Sequence, residues 1–312
     1  MRIGLDIMGG DFAPEAAVLG AIQAQKELTS EDTIVLFGDS EKAKEIINAH
    51  GHDPALFEFI HTTEIIEMGE HPTKAITQKP NSSIAVGFHL LGQGNIDSFA
   101  SAGNTGAMLV GSMFSVKTVP GVTRPAIASN VPREDQSFGL ILDVGANADC
   151  KPETLLQFAI LGSIYAQEVF HIDQPKVGLL NLGEEAQKGN LLTQAAYPML
   201  QTLSQINFIG NIEGRDLFSK RADVIVCDGF TGNVVLKMAE SFYDITSKRG
   251  FSDTFIERFN YEQYGGSPIL GLNAPVIIGH GISKPEAIKN MILLSQQMIQ
   301  SDIVHQMKAA LN

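Results

Sequence analysis

The 312 residues carry 22 Lys and Arg against 35 Asp and Glu, and the net charge of −13 argues against a nucleic-acid partner, which needs a basic surface. With 44 % hydrophobic and 18 % charged residues the composition is ordinary for a globular chain, and the length suffices for one large or two modest domains. No apolar run approaches the roughly 18–20 residues needed to cross a bilayer, and two cysteines, Cys150 and Cys227, are too few and too far apart for a zinc site or a disulfide framework.

Arg2–Ile7 reads as a first strand rather than a signal peptide, so a cytoplasmic location is expected. It runs into Asp6-Ile-Met-Gly9-Gly10-Asp11-Phe-Ala-Pro14, with Pro14 suited to the first turn of a helix over Glu15–Lys26. Thr33–Phe37 is the second strand, Glu41–Ala49 a helix and Phe57–Ile60 a short strand. This β-loop-α repeat is the pattern of a parallel sheet with helices on its faces. Thr62–Pro80 is polar and irregular, with Lys79 at its end. Ser82 and Ser83 can cap a helix running to Leu91, and Ile96–Ala100 returns as a strand. Ser101-Ala-Gly103-Asn104-Thr105-Gly106 then leads into an apolar helix to about Val116.

Ala126–Asn130 and Phe138–Leu142 are strands, the second ending in Asp143-Val-Gly145-Ala-Asn147-Ala-Asp149-Cys-Lys151-Pro152. The helix Glu153–Val169 carries Ala159, Gly162, Ser163 and Ala166 at helical spacing, a stripe suited to tight packing at a lobe or subunit contact. Val177–Leu180 is a buried strand, followed by Asn181-Leu-Gly183-Glu-Glu-Ala-Gln-Lys188-Gly189-Asn190, a helix Leu191–Gln201 and a strand Phe208–Ile209. After the strand Val224–Cys227 comes Asp228-Gly229-Phe-Thr231-Gly232-Asn233, with a helical pattern beginning near Asn233 and running to about Thr246. The stretch 247–267 is polar and aromatic and is expected as a mobile or helical protruding segment. Pro275–Ile278 is the last strand, ending in Gly279-His280-Gly281, and one long amphipathic helix, Pro285–Lys308, closes the chain. Residues 1–312 therefore read as one catalytic unit of two α/β lobes sharing a parallel-type core.

Three turns share one chemistry: Gly103-Asn104-Thr105-Gly106, Asp143 to Asn147, and Asp228 to Asn233 each place Gly, Asn, Thr or Asp between a strand and a helix. Unpaired backbone N–H groups at such a helix start suit an anion such as phosphate; an ordinary capped βα loop is the alternative. No Gly-x-Gly-x-x-Gly, Walker loop, His-Glu-x-x-His or nucleophile elbow is present. Because ligands of open α/β sheets sit beyond the carboxyl ends of the strands, these turns are expected to converge on one crevice. Neutral donors with few obligatory carboxylates suit a phosphate held without a metal, so no metal and no cofactor are expected.

Taken together, the Met-Gly-Gly-Asp run near the start, Ser101–Ala107, Leu142–Glu153, Asn181–Glu185 with Lys188-Gly189-Asn190, and Asp228–Lys237 resemble the phosphate acyltransferases of bacterial phospholipid synthesis. The match runs almost end to end and in order. The resemblance implies a fold similar to the phosphotransacetylases and the isocitrate/isopropylmalate dehydrogenases, two α/β lobes with a cleft, in a homodimer. It implies transfer of a long-chain acyl group from acyl-carrier protein to orthophosphate, the acyl phosphate feeding a membrane glycerol-3-phosphate acyltransferase. Only Lys79 remains of a basic stretch common in the family, and the segment Ser247–Gln263 is shorter than the amphipathic hairpin of some relatives; both departures bear on carrier-protein contact and peripheral membrane contact.

By that resemblance Lys188 and Asn233 are the catalytic candidates, with a solvated loop lysine and a plain N-cap as the alternatives. Gly103, Asn104, Thr105, Gly106, Gly229, Thr231 and Gly232 are candidates for phosphate binding. Asp6, Gly9, Gly10, Asp143, Asn147, Asp228 and His280 are expected to line the cleft, the aspartates bracing loops. Arg215, Lys220, Arg221, Lys248, Arg249 and Arg258 are the local basic groups for an acidic carrier protein, against the alternative of a solvated charged face. Phe242, Phe251, Phe255 and Leu270 are candidates for an acyl channel or, equally, for ordinary packing. Two other functions remain open: a phosphotransacetylase acting on short acyl-coenzyme A, and a non-enzymatic membrane-associated scaffold for lipid-synthesis proteins.

Overall fold

The computed structural model describes residues 1–311. The chain divides into two compact units, Met1–Lys117 with Tyr261–Gln300, and Thr118–Asn260 with Ser301–Asn312. In chain order the strands are β1 (Arg2–Asp6), β2 (Thr33–Gly38), β3 (Glu58–His61), β4 (Ser98–Ser101), β5 (Ala126–Pro132), β6 (Phe138–Leu142), β7 (Lys176–Leu180), β8 (Asn207–Ile212), β9 (Val224–Val226), β10 (Ser267–Leu270) and β11 (Val276–Ile278).

In the first unit the order is β3-β2-β1-β4-β11-β10. All neighbours are parallel except β10, which pairs antiparallel with β11. Ile3, Leu5, Ile34 and Phe37 are fully buried, as expected of strands covered by helices on both faces. The Phe99 ring meets Phe37 and Phe88 edge-on at centroid distances of 5.5 and 5.1 Å, which seats the helix Ser83–Gly92 on the sheet. Its cap is Ser82, whose Oγ accepts from Ala85 N–H at 3.3 Å.

The second unit has the order β5-β6-β9-β7-β8, parallel except for the β5–β6 pair. The helix Pro152–Glu168 lies against it. A Cβ at Gly162 would fall 2.6 Å from Val224 and 2.8 Å from Leu142, so the helix seats on its own sheet at Gly162, and Ala159, Ser163 and Ala166 are buried within the chain itself. Close approach at a small residue is what permits that seat. The fold class is therefore α/β, built of largely parallel sheets as expected.

Four elements differ from expectation. Pro72–Gln78 is a helix inside the stretch read as irregular. Strand β10 arises between the stretch 247–267 and Pro275, where no strand was expected. The final helix is two, Pro285–Gln300 and Ile303–Leu311, parted at Asp302 with φ +51. The fourth is the helix after β9, which begins at Gly229 and runs to Lys248. Within 247–260 the chain is held to the second unit: Phe218, Phe255 and Phe259 form an edge-on cluster with centroids 5.1–6.3 Å apart. Phe255 thus packs within this cluster, and Leu270 is 1 % exposed in β10.

Candidate active site

In the second unit, register sets the site. Val226 pairs with both Leu142 and Leu179, so β6, β9 and β7 end on one level. Their outgoing turns leave the same sheet edge side by side, at the strand spacing of about 4.8 Å.

The turn after β6 is closed by its own side chains. The fully buried Asp143 carboxylate accepts N–H bonds from Ile127 (3.0 Å), Ala146 (3.1 Å) and Asn147 (2.6 Å), and a bond from Asn147 Nδ2 at 2.9 Å. Asn147 Nδ2 also reaches the Pro125 carbonyl at 2.8 Å. Burial pushes the Asp143 pKa up, and these donors oppose the shift. Both residues brace the turn. The neighbouring Cys150 thiol is pushed up to about 11, first by burial and then by the Asp143 charge, which makes it a poor nucleophile.

The turn after β9 is shorter than the sequence suggests. Asp228 is the N-cap, accepting from Thr231 N–H at 2.9 Å and Thr231 Oγ1 at 2.8 Å. Gly229 N–H goes to the Asn147 carbonyl at 2.8 Å, and Gly232 N–H to the Asp228 carbonyl at 3.0 Å. The N–H groups of Gly229, Thr231 and Gly232 are thus taken by the protein's own oxygens, and a carboxylate already occupies the positive end of the dipole. Gly229, Thr231 and Gly232 do not form the open anion seat expected of them. The glycines serve packing instead: a Cβ on Gly232 would run into the Asp143 carbonyl oxygen. Asn233 is consequently no N-cap. It stands in the second helical turn, where Nδ2 donates to the Val144 carbonyl at 3.2 Å. Gly145 lies beneath it with φ +130, and a Cβ there would come within 3.0 Å of Asn233 Nδ2. One amide hydrogen and the oxygen of Asn233 remain for a ligand.

The turn after β7 is the open one. Asn181 Nδ2 donates to the Lys188 carbonyl at 3.1 Å, and Asn211 Nδ2 to the Glu185 carbonyl at 2.9 Å. These bonds hold the loop while its tip faces solvent. Asn190 caps the helix Leu191–Gln201 through Thr193 N–H at 2.9 Å. Lys188 is exposed, and among the described residues no salt bridge engages its ammonium group. An exposed cation beside a helix N-terminus has the charge and the donors that suit an anion. Sequence reasoning missed Asn211, which no motif marks, and Asn181, which stands in the quoted Asn-Leu-Gly-Glu-Glu run.

Four of the six residues expected to face a carrier protein are already engaged. Arg221 pairs with Glu184 at 2.6 Å and Asp216 at 3.2 Å, Arg215 with Glu213 at 2.7 Å and Glu184 at 3.4 Å, and Lys220 with Asp135 at 2.6 Å. Arg258 stacks 4.1 Å over the Phe138 ring and donates to the Arg133 and Ser137 carbonyls. The arginines therefore neutralise Glu184 on the Lys188 loop and hold the Glu184 carboxyl below its usual range. Lys248 and Arg249 enter no ion pair among the described residues.

The first unit carries a second cluster at the carboxyl edge of its sheet. Buried Asp6 accepts from Ser101 Oγ at 2.6 Å and Met8 N–H at 2.8 Å, and Ser101 Oγ accepts from Gly103 N–H at 2.9 Å. Burial raises the Asp6 pKa against these bonds. Gly9 lies against Gly103, where a Cβ would come within 2.6 Å of its nitrogen. Asp11 N–H donates to the Gly281 carbonyl at 2.7 Å, close to Gly10 and His280. Asn104 caps the helix Thr105–Gly111, and its Nδ2 donates to the carbonyls of Glu67 (3.0 Å), Met68 (3.1 Å) and Glu70 (3.0 Å). Its donors are thus committed to a loop clamp rather than to phosphate, and Gly106 is pressed against Pro72. Thr105 is exposed.

Among the described residues, no group of three or more His, Cys, Asp or Glu is placed to hold a metal ion, and no helix is long and apolar enough to cross a membrane. A structural neighbour is a phosphotransacetylase from Streptococcus pyogenes, with a TM-score of 0.69 at 18 % identity over 96 % of this chain and 94 % of that one. A Salmonella typhimurium protein assigned as a 4-hydroxythreonine-4-phosphate dehydrogenase aligns at TM-score 0.52 and 13 % identity, covering 95 % of this chain and 99 % of that one. Both report the fold alone, and it is the α/β fold expected, shared with a phosphotransacetylase and with a dehydrogenase. In sequence, a protein named phosphate acyltransferase from Dictyoglomus turgidum is 40 % identical over 331 residues, 100 % of this chain and 98 % of the relative. The family model described as fatty acid synthesis protein matches residues 1–248 and 251–306. With that span matched, the chain belongs to the fatty acid synthesis protein family.

Proposed function

We propose that the chain is an acyltransferase that moves a fatty acyl group onto orthophosphate, the donor being a long-chain acyl-carrier-protein thioester. The family and the name phosphate acyltransferase borne by its relatives support acyl transfer to phosphate. The observation that carries the reading is the exposed Lys188 at a helix N-terminus, on a turn that leaves the strand next to the one feeding Asn233. Phosphate near neutral pH is already ionised and nucleophilic, so no strong base is needed. A phosphate oxygen attacks the thioester carbonyl carbon; the C–S bond then breaks, and the departing thiolate takes a proton from solvent. Lys188 holds the phosphate as a point charge, and the spare Asn233 amide hydrogen stabilises the developing oxyanion. Gly103 to Gly106, Asp6, Asp143 and Asp228 act as braces.

The carrier protein docks at Lys248 and Arg249, the basic candidates that ion pairs leave available. A second copy of the chain covers the exposed stripe Phe230, Val234, Met238, Phe242 and Ile245, which recurs every three or four residues along one helix face. The protein works in the cytoplasm, at the inner membrane face, and passes acyl phosphate to a membrane glycerol-3-phosphate acyltransferase. The test is phosphate-dependent release of free carrier protein from palmitoyl-carrier protein. Turnover of acetyl-coenzyme A in its place would make the chain a phosphotransacetylase, and turnover of neither would remove the catalytic reading.

A further inference from the structure

We propose that Phe12, Met68 and Ile282 form the surface of the first unit that recognises the fatty acyl chain; the inference rests on the acyl-transfer reading above. These large apolar side chains are 51 %, 49 % and 52 % exposed, and they come from three different loops that meet at one point. Met68 Cε lies 3.1 Å from where a Gly281 Cβ would stand. Gly281 precedes Ile282, and its carbonyl accepts the N–H of Asp11, the neighbour of Phe12, at 2.7 Å. The meeting point lies at the carboxyl edge of the parallel sheet, beside Gly9, Gly10 and Gly103, where such sheets take their ligands.

The backbones that display these side chains are fixed. Asn104 Nδ2 holds the Met68 carbonyl together with those of Glu67 and Glu70, Lys79 pins the same segment through Glu70 and the Ile65 carbonyl, and the Asp11–Gly281 bond fixes the other two loops. Apolar side chains held out on tethered loops are preorganised for a ligand, since little ordering remains to oppose binding. The ionisable groups on these loops are Asp11, Glu64, Glu67, Glu70, His71, His280 and Lys284. Lys284 is paired with Glu262 and the adjoining Lys79 with Glu70, so both lysines are engaged and the carboxylates disfavour phosphate and an acidic carrier protein alike. An uncharged hydrocarbon chain fits, and a flexible Met side chain adapts to its shape. Each methylene in contact changes binding by up to about fourfold, so this surface sets chain-length preference.

The experiment compares kcat/KM for palmitoyl- and butyryl-carrier protein with phosphate as acceptor. In Phe12→Ser/Met68→Ser the palmitoyl-to-butyryl ratio is expected to fall about tenfold or more, Met68→Leu to restore it, and Leu56→Ser at the opposite sheet edge to leave it alone. A ratio within twofold of wild type, with both donors still turned over, would overturn the assignment, including the case where the double variant changes only the oligomeric state. Binding of a fluorescent C16 fatty acid to wild type and double variant reads the same surface without turnover: at least tenfold weaker binding in the variant supports the surface, and equal binding overturns it. Failure of wild type to acylate phosphate from any donor removes the acyl-transfer reading separately.

Discussion

Asn233 Nδ2 donates to the Val144 carbonyl oxygen at 3.2 Å, joining the second turn of one helix to the turn that leaves an adjacent strand. That bond fixes the carboxamide plane and leaves its other hydrogen aimed by the same constraint. Asn233→Ala is expected to lower turnover by roughly 10²–10³, the scale of one lost oxyanion donor, with the thermal melt preserved. Wild-type turnover in a folded variant would withdraw the role.

Lys188 makes a different prediction because it acts on the nucleophile. Lys188→Ala is expected to raise KM for phosphate by roughly tenfold or more, the scale of one lost charge-assisted contact, and to lower kcat as well. Phosphate titration at fixed acyl donor measures both. Unchanged kinetics would mean that the ammonium group stays in solvent during the reaction.

The buried Asp6 carboxyl has a pKa raised by desolvation. A carboxyl raised in the folded state contributes stability that is complete below its unfolded value of about 3.9 and declines as pH climbs through the folded value. Wild type is therefore expected to lose stability relative to Asp6→Asn as pH rises from about 4 towards neutrality. Urea midpoints of the two proteins across that range test it, since Asp143 is common to both. A flat or rising difference contradicts the assignment.

Tyr165 is wholly buried, and its hydroxyl makes no hydrogen bond, though its ring meets Phe170 edge-on at 5.3 Å. Removing an unsatisfied buried hydroxyl while keeping the ring stabilises by about 1 kcal/mol. Tyr165→Phe is expected to raise the urea midpoint accordingly. A loss of that size would reveal a partner, such as an internal water.

Periodic segments were legible in sequence: Phe138–Leu142 and Leu191–Gln201 fall where their patterns place them. The misread segments are those where tertiary demands outweigh local preference. Gly229 and Gly232 read as a turn because glycine is a poor helix former, yet only glycine lets that helix rest on the Asp143 carbonyl. Pro72 lies in the stretch read as irregular but serves at the first position of a helix. Among candidate residues, the exposed loop position of Lys188 was legible from its run of Gly and Asn, whereas the second-turn position of Asn233 was not. The occupation of Arg215 and Arg221 was not, because their shared partner Glu184 lies 31 and 37 residues away. Asn104 was legible as a cap, but its three carbonyl partners lie 34–37 residues upstream.

The division of the chain bears on its birth at the ribosome. The first unit includes residues 261–300 and the second 301–312, so neither closes until those late segments have been made. Until β11 emerges, its slot alongside β4 stays vacant, and a nascent chain with an open strand edge invites mispairing. Truncations near the C-terminus should accordingly accumulate as aggregates, and a stable first unit alone would call for a version in which residues 261–300 are spliced directly after Lys117.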